Sequence, residues 1–224
     1  MQWRLSYLKK GLLILLRPGS WSLTRLKRKN FDPDPIIEFG KWYRKAARSF
    51  WITWPEAMCL ATADQSGQPT SRLVLLKEFD QRGFVFYTNL KSRKGETLEA
   101  NPRAAATFYW ESLQRQVRIE GFVERVSSEE SDDYFSTRAR LSQLGAWASI
   151  QSQPLTNRLL LERRLADVKR RFAGKQVPRP AHWGGLRLIP ETVEFWKLRP
   201  NRLHDRFLYQ KTSAGQWQIS RLYP

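Results

Sequence analysis

The chain has one cysteine, two histidines and 21 acidic residues set against 39 basic ones. A lone cysteine excludes an intrachain disulfide and any cluster of cysteine metal ligands. It lies in the apolar run Ala57-Met58-Cys59-Leu60-Ala61, which reads as core packing rather than as a nucleophile. A reducing compartment is compatible with this usage, and the cytoplasm is the expected location. There is no internal repeat and no low-complexity tract. No apolar run is long enough to cross a bilayer: the longest, Leu12-Leu13-Ile14-Leu15-Leu16, falls far short of about 20 residues. That run follows Lys9-Lys10 and precedes Arg17-Pro18-Gly19, without a small-residue cleavage pattern. It reads as an amphipathic segment that packs on the body or on a partner, with a membrane-surface role as the lesser alternative.

What is present is a chain of 224 residues, 41% hydrophobic and 13% aromatic, ample for a buried core. The net charge of +18 points toward anionic partners: nucleic acid, anionic lipid or phosphorylated small molecules. Much of it lies in two places. Arg25 to Lys29 resembles a mobile basic arm, and residues 163–171 resemble the outer face of a helix. Residues 1–30 read as a basic extension and 31–224 as a single domain.

The pattern along the chain is mainly β. Asp32-Pro33-Asp34-Pro35 begins a helix over 36–48. Strands are expected at 57–63, 71–77, 84–88, 104–110 and 116–125, joined by turns such as Asp64-Gln65-Ser66-Gly67 and Asp80-Gln81-Arg82-Gly83. Ser92 is the candidate N-cap of a short helix, and Ser127 with Glu130 forms a capping box. Helices follow near 143–150 and 155–172, then strands at 186–189, 192–197, 205–210 and 217–222. Short, evenly spaced strands imply an antiparallel barrel with peripheral helices.

Two regions carry chemistry. Arg202-Leu203-His204-Asp205-Arg206 gathers two guanidiniums, an imidazole and a carboxylate. If it is a strand, Arg202, His204 and Arg206 share one face suited to an anionic aromatic ligand. A solvated, charged edge strand is the alternative. The second region is Tyr87 to Lys94, running from a strand into a helix N-terminus, where main-chain N–H groups and the helix dipole favour phosphate. Arg93 and Lys94 would add a guanidinium fork and a point charge.

With those segments the chain resembles the pyridoxine/pyridoxamine 5′-phosphate oxidase family of split-barrel flavoproteins. The resemblance runs from about Asp32 to Pro224 and rests on RLVLLK (72–77), FYTNLKSRK (86–94), RQVRIEG (115–121), SQLGAWASIQS (142–152), HWGG (182–185), EFW (194–196) and RLHDRFLY (202–209). It implies a mainly β, α+β split barrel and a homodimer with two FMN sites across the subunit interface. FMN would be held by Arg72, Val74, Leu75, Tyr87, Thr88, Arg93, Lys94, Gln116, Gln151, Ser152, Trp196 and Arg206. The substrate phosphate would fall to Lys77, Tyr134, Arg138 and Ser142, while Arg202 and His204 would face the substrate ring and its reacting carbon. The implied reaction oxidises pyridoxamine or pyridoxine 5′-phosphate to the aldehyde and passes electrons to dioxygen. Arg4 and Tyr7 are candidates for a lid contact, although the stretch 11–29 looks longer than the usual family N-terminus. His182 reads as a packing or turn residue outside the site.

Three other readings compete, the blandest being a flavin-binding protein without turnover. A related split-barrel flavoprotein could act on another substrate, such as a phenazine precursor, but would tend to lack the joint set Lys77, Tyr134, Arg138, Ser142, Arg202 and His204. A nucleic-acid module would explain the charge, yet no such motif is present and the basic residues are spread over several elements.

Overall fold

The structure is a computed structural model that describes residues 25–224. Arg4, Tyr7 and the 12–16 apolar run lie outside the described residues. Five helices and nine strands are described: α1 (Pro35–Ala47), β1 (Ala57–Ala63), β2 (Pro69–Leu75), β3 (Glu78–Asp80), β4 (Gly83–Asn89), α2 (Arg93–Ala100), β5 (Arg103–Trp110), β6 (Arg115–Arg125), α3 (Ser128–Thr137), α4 (Arg140–Ala148), α5 (Arg158–Arg171), β7 (Trp183–Lys197), β8 (Asp205–Lys211) and β9 (Trp217–Arg221). The sheet order is β2-β1-β5-β6-β7-β4-β3, with β8 on β7 and β9 on β8. The described chain divides into two compact units.

The first unit holds residues up to 59 with 106–120 and 190–224. Its helix α1 begins where the sequence places a start. Asp34 accepts from the Ile36 amide at 2.7 Å, and Pro35 occupies the first turn, where its missing N–H costs nothing. Ile36, Phe39, Trp42 and Ala46 fall on one helical face, and all are buried. They pack into an aromatic core: Phe39 lies 5.1 Å from Phe108, Trp42 lies 5.1 Å from Phe195, and Phe31 lies 4.6 Å from Phe207. The Tyr209 hydroxyl, inside this core, donates to the Asp32 carbonyl at 2.6 Å. The segment before α1 is tied down as well: the Leu26 amide donates to Asp205 at 3.0 Å.

The second unit holds 60–105 and 121–189. Strand β4 pairs antiparallel with the first half of β7, Phe84 opposite Leu188 and Tyr87 opposite Gly185. Helices α3, α4 and α5 pack around Phe135, Leu144, Phe172, Val177 and Trp183. Gly83 turns the β3–β4 hairpin at φ +140, and a Cβ there would sit 2.3 Å from the Leu188 carbonyl oxygen, so only glycine fits.

Three local expectations are corrected. Residues 186–189 and 192–197 are one strand, β7, despite Pro190. Its β4 partners end at Leu188 and its β8 partners begin at Thr192, so the missing donor falls between the two ladders on that edge. Arg202, His204 and Arg206 do not share a strand face. Pro200–Arg202 is a single 3-10 turn in which Asn201 and Arg202 have φ of +56 and +62, and β8 begins only at Asp205. The capping box is half formed. Ser127 accepts from the Glu130 amide at 3.0 Å, but the Glu130 carboxylate turns to Arg187 at 3.1 Å and Arg82 at 3.0 Å.

Candidate active site

The second unit contains a cleft of about 720 Å³, within the range of small-molecule sites. Its walls come from β2 (Val74, Leu75), β4 (Tyr87, Thr88, Asn89), the start of α2 (Lys94), the end of α3 (Tyr134, Arg138), α4 (Ser142, Gly145) and the following Ser149 and Gln151; Lys77 completes them.

The β4–α2 corner is built by Ser92 and Gly95. The Ser92 hydroxyl donates to the Asn89 carbonyl at 2.6 Å and accepts from the Gly95 amide at 3.4 Å, capping the helix. A Cβ on Gly95 would lie 2.2 Å from the Leu90 carbonyl oxygen, so the chain can turn this tightly only without a side chain. The corner delivers Lys94 into the cleft, where Nζ donates to Ser92 Oγ at 3.1 Å and Gln151 Oε1 at 3.3 Å. Burial, with the nearby Arg72 guanidinium, pushes the Lys94 ammonium down to about 8.

One wall is aromatic. Tyr87 stacks on Tyr134 at 4.0 Å and on Trp183 at 5.3 Å, with interplanar angles of 11° and 7°. Gly185 makes room for this stack, since a Cβ there would meet Tyr87 Cε1 at 2.6 Å and Val126 Cγ2 at 2.5 Å. Burial raises the Tyr87 phenol to about 12, so it stays protonated. Arg138 lies over Trp183, its guanidinium carbon 4.7 Å from the ring centroid. Its Nη1 is buried without a hydrogen-bond partner. A buried, unpaired guanidinium N–H is costly unless a ligand satisfies it. Lys77, Lys94 and Arg138 line the cleft, and among the described residues no carboxylate does. An anion carrying several acceptor oxygens therefore suits the cleft, and phosphate groups fit it.

The cleft brings together Val74, Leu75, Tyr87, Thr88, Lys94 and Gln151 of the expected cofactor set and all four residues expected at the substrate phosphate, Lys77, Tyr134, Arg138 and Ser142. Arg72, Arg93 and Ser152 belong to the same unit but do not line it. The Arg72 guanidinium donates to Thr62 Oγ1 at 2.8 Å and Thr70 Oγ1 at 2.7 Å. Ser152 stands in the left-handed region at φ +72. His182 is structural, its Nε2 3.0 Å from the Ala146 carbonyl oxygen. Trp183 was missed as a lining residue; HWGG was legible as a motif, but nothing in it separates the ring that packs from the ring that lines a site.

The remaining expected residues lie in the first unit. Gln116 is half-buried on β6. Trp196 is paired with Arg206 across the β7–β8 ladder, and its ring lies 4.7 Å from that of His204. Arg206 Nε donates to Glu194 at 2.7 Å and Nη1 to the Tyr223 carbonyl at 3.1 Å. That carboxylate holds the Arg206 guanidinium above its ordinary range. Glu194 is buried and also receives Arg118 at 3.2 Å. His204 lines a second cavity of about 610 Å³ with Arg199, Asn201, Leu203, Asp205 and Tyr223, while Arg202 projects from the preceding turn, exposed. Cys59 is half-buried on β1, on the face opposite Met58, Leu60 and Thr62, and so is less deeply packed than expected. Among the described residues no helix is long and apolar enough to cross a membrane, and no cluster of three or more His, Cys, Asp or Glu side chains could hold a metal.

Comparison with known proteins agrees with this geometry. The family profile described as pyridoxamine 5′-phosphate oxidase matches residues 44–172, and the pyridoxine 5′-phosphate oxidase C-terminal dimerisation region matches 183–224. The chain is 58% identical over 193 residues to a pyridoxine/pyridoxamine 5′-phosphate oxidase of Rubrobacter xylanophilus, covering 86% of this chain and 88% of that one. To the protein of the same name from Microcystis aeruginosa it is 52% identical, covering 91% and 95%. Among solved structures it is similar to PhzG of Burkholderia lata in complex with tetrahydrophenazine-1-carboxylic acid, at TM-score 0.80 and 31% identity, covering 86% and 94%. A pyridoxamine 5′-phosphate oxidase-related, FMN binding protein from Nostoc punctiforme shares the fold at TM-score 0.68 and 18% identity, covering 87% and 100%. The fold is thus the mainly β, α+β split barrel, and the dimerisation region supports assembly of two copies. With both profiles in order along it and these relatives matched over most of their length, the chain belongs to the pyridoxamine 5′-phosphate oxidase family.

Proposed function

We propose that the protein is a homodimeric, FMN-dependent oxidase of the cytoplasm that converts pyridoxamine 5′-phosphate and pyridoxine 5′-phosphate to pyridoxal 5′-phosphate. The alcohol reacts with dioxygen to give the aldehyde and hydrogen peroxide; the amine consumes a water as well and releases ammonia. The observation that carries this reading is the cleft around Arg138: a buried guanidinium nitrogen without a partner, beside Lys77, Tyr134 and Ser142, with no carboxylate among the described residues that line the space.

Lys77 and Arg138 supply charge to the substrate phosphate, and the hydroxyls of Tyr134 and Ser142 supply neutral donors. Lys94 and Gln151, with Arg72 and Arg93 at the same corner, would hold FMN through its phosphate, while Val74, Leu75, Tyr87 and Thr88 offer strand backbone and side chains along its length. Ser152 would assist from the turn after α4. By the family resemblance, Gln116, Trp196 and Arg206 would belong to the cofactor set, and Arg202 and His204 would orient the substrate ring. Bound flavin supplies the hydride acceptor and the route to dioxygen, chemistry the protein does not itself possess. The protein's part is to align two phosphorylated rings and exclude competing orientations.

The relation to PhzG raises a second reading, an oxidase of a phenazine-type acid. The four-residue phosphate set favours a phosphorylated substrate over an unphosphorylated tricyclic one. The test is product formation in air. The purified protein with pyridoxamine 5′-phosphate should release peroxide and pyridoxal 5′-phosphate in equal amounts, and pyridoxamine without its phosphate should react far more slowly. Equal rates for the two would remove the phosphate set from the account.

A further inference from the structure

His204 follows a turn that few residues tolerate. Asn201 and Arg202 both stand at positive φ, a conformation that asparagine adopts readily but that costs Arg202 and must be held there by its surroundings. The turn closes through Leu203 N–H to the Pro200 carbonyl at 3.2 Å and His204 N–H to the Arg202 carbonyl at 2.9 Å. It brings the imidazole back over the strand end, against the Trp196 ring at 4.7 Å. There His204 Nδ1 accepts the main-chain N–H of Arg199 at 3.1 Å.

A main-chain amide can only donate, so Nδ1 must present its lone pair. In the neutral ring the proton then sits on Nε2. Nε2 has no hydrogen bond to any described residue, and the ring lines the 610 Å³ cavity. We infer that the Arg199 amide fixes His204 as its Nε2–H tautomer, and that His204 serves the ligand as a hydrogen-bond donor and not as a proton acceptor. Nδ1 is engaged, and Nε2 already carries its proton. Burial, then the Arg202 and Arg206 guanidiniums, push the imidazole below its ordinary range and so keep the neutral form. In the proposed reaction, on which the ligand's identity rests, Nε2–H addresses an acceptor atom of the substrate, and the proton lost from the substrate's amine or alcohol goes to solvent or another group.

Magnitudes separate the two roles. A lost neutral hydrogen bond costs about three- to tenfold; a lost general base costs on the order of 10²–10⁴-fold. With only two histidines in the chain, imidazole ¹⁵N spectra of the holoenzyme are simple, and H204Q assigns the signals by loss. At pH 7.5 the His204 Nδ1 should resonate as unprotonated and Nε2 as protonated. The reverse tautomer, or an imidazolium, overturns the inference whether or not the substrate is correctly named. The kinetic arm compares His204→Gln, which offers a donor near the Nε2 position, with His204→Glu, which offers an acceptor of similar reach. With FMN content matched, H204Q should keep kcat within about tenfold and exceed H204E. A loss above 100-fold in H204Q, or the opposite order, identifies a base and overturns the inference; if neither variant folds, the wild-type spectrum decides.

Discussion

Lys94 should make the cleft's affinity for phosphate depend on pH in a window where few side chains titrate. Its ammonium is held at about 8 by burial and then by Arg72. A phosphate beside Nζ favours the charged form, so binding restores the proton and raises the pKa again. Below about pH 8 the free site is already charged and FMN affinity should be flat. Above it, binding must recruit a proton, and the dissociation constant should rise roughly tenfold per pH unit until the bound lysine itself titrates. Between pH 7 and 9.5 the expected loss is therefore on the order of tenfold or somewhat more. Titrating the apo-protein with FMN and following the quenching of flavin fluorescence reads this directly. Lys94→Met should bind more weakly at pH 7, by about 10–100-fold for one charge-assisted hydrogen bond, and should lose the slope. The comparison also removes Lys197, which burial lowers to about 8 in the other unit and which K94M leaves intact. Stability of the apo-protein should move the other way. The unfolded chain holds the Lys94 proton up to about 10.5, so between pH 8 and 10.5 it binds more protons than the fold, and stability from this group rises with pH. A wild-type dissociation constant flat across pH 7–9.5, or the same slope in K94M, would refute the reasoning.

Other residues give sharper or simpler readouts. Arg138→Met should raise KM for the phosphorylated substrate well over tenfold, yet change the heat stability of the apo-protein little, because loss of the cation–π contact with Trp183 is offset by removal of an unpaired buried guanidinium nitrogen. A large loss of Tm would instead make Arg138 a structural cation. Gly185→Ala should push the Tyr87 ring and cost about 1–3 kcal/mol of stability, with weakened FMN binding; denaturant melts and flavin titration check both, and an unchanged variant would mean the stack is not needed. Arg202→Leu should impair turnover more than flavin content, since the residue sits in an exposed turn rather than in the cofactor cleft; parallel losses in the two would place it in the cofactor shell.

Much of the cleft was legible in the sequence because its builders act locally. Asp34-Pro35, Ser92 before Gly95 and Ser127 before Glu130 each announce a helix start within four residues, and each forms its cap. The strands around Thr62, Arg72 and Phe86 announce themselves by short apolar runs between turn residues. What was not legible depends on partners distant in the chain. Glu130 leaves its own cap because Arg187 and Arg82 reach it from other strands. The strands expected at 186–189 and 192–197 are one because β4 and β8 leave a gap in that edge of the ladder, which nothing local shows. The alternation in Arg202-Leu203-His204-Asp205-Arg206 suggested a strand, yet two positive-φ residues bend the chain there, and neither is a glycine. The alternating pattern could group these charges but not orient the imidazole, which needs the amide of Arg199 five residues away.

The measurement closest to the central claim is the visible spectrum of the purified protein under anaerobic conditions. The cleft and its cations predict bound flavin whose absorbance bleaches on adding pyridoxamine 5′-phosphate and returns on admitting air. A colourless protein that takes up no FMN, or a bound flavin that stays oxidised with the phosphorylated amine and alcohol alike, would contradict it.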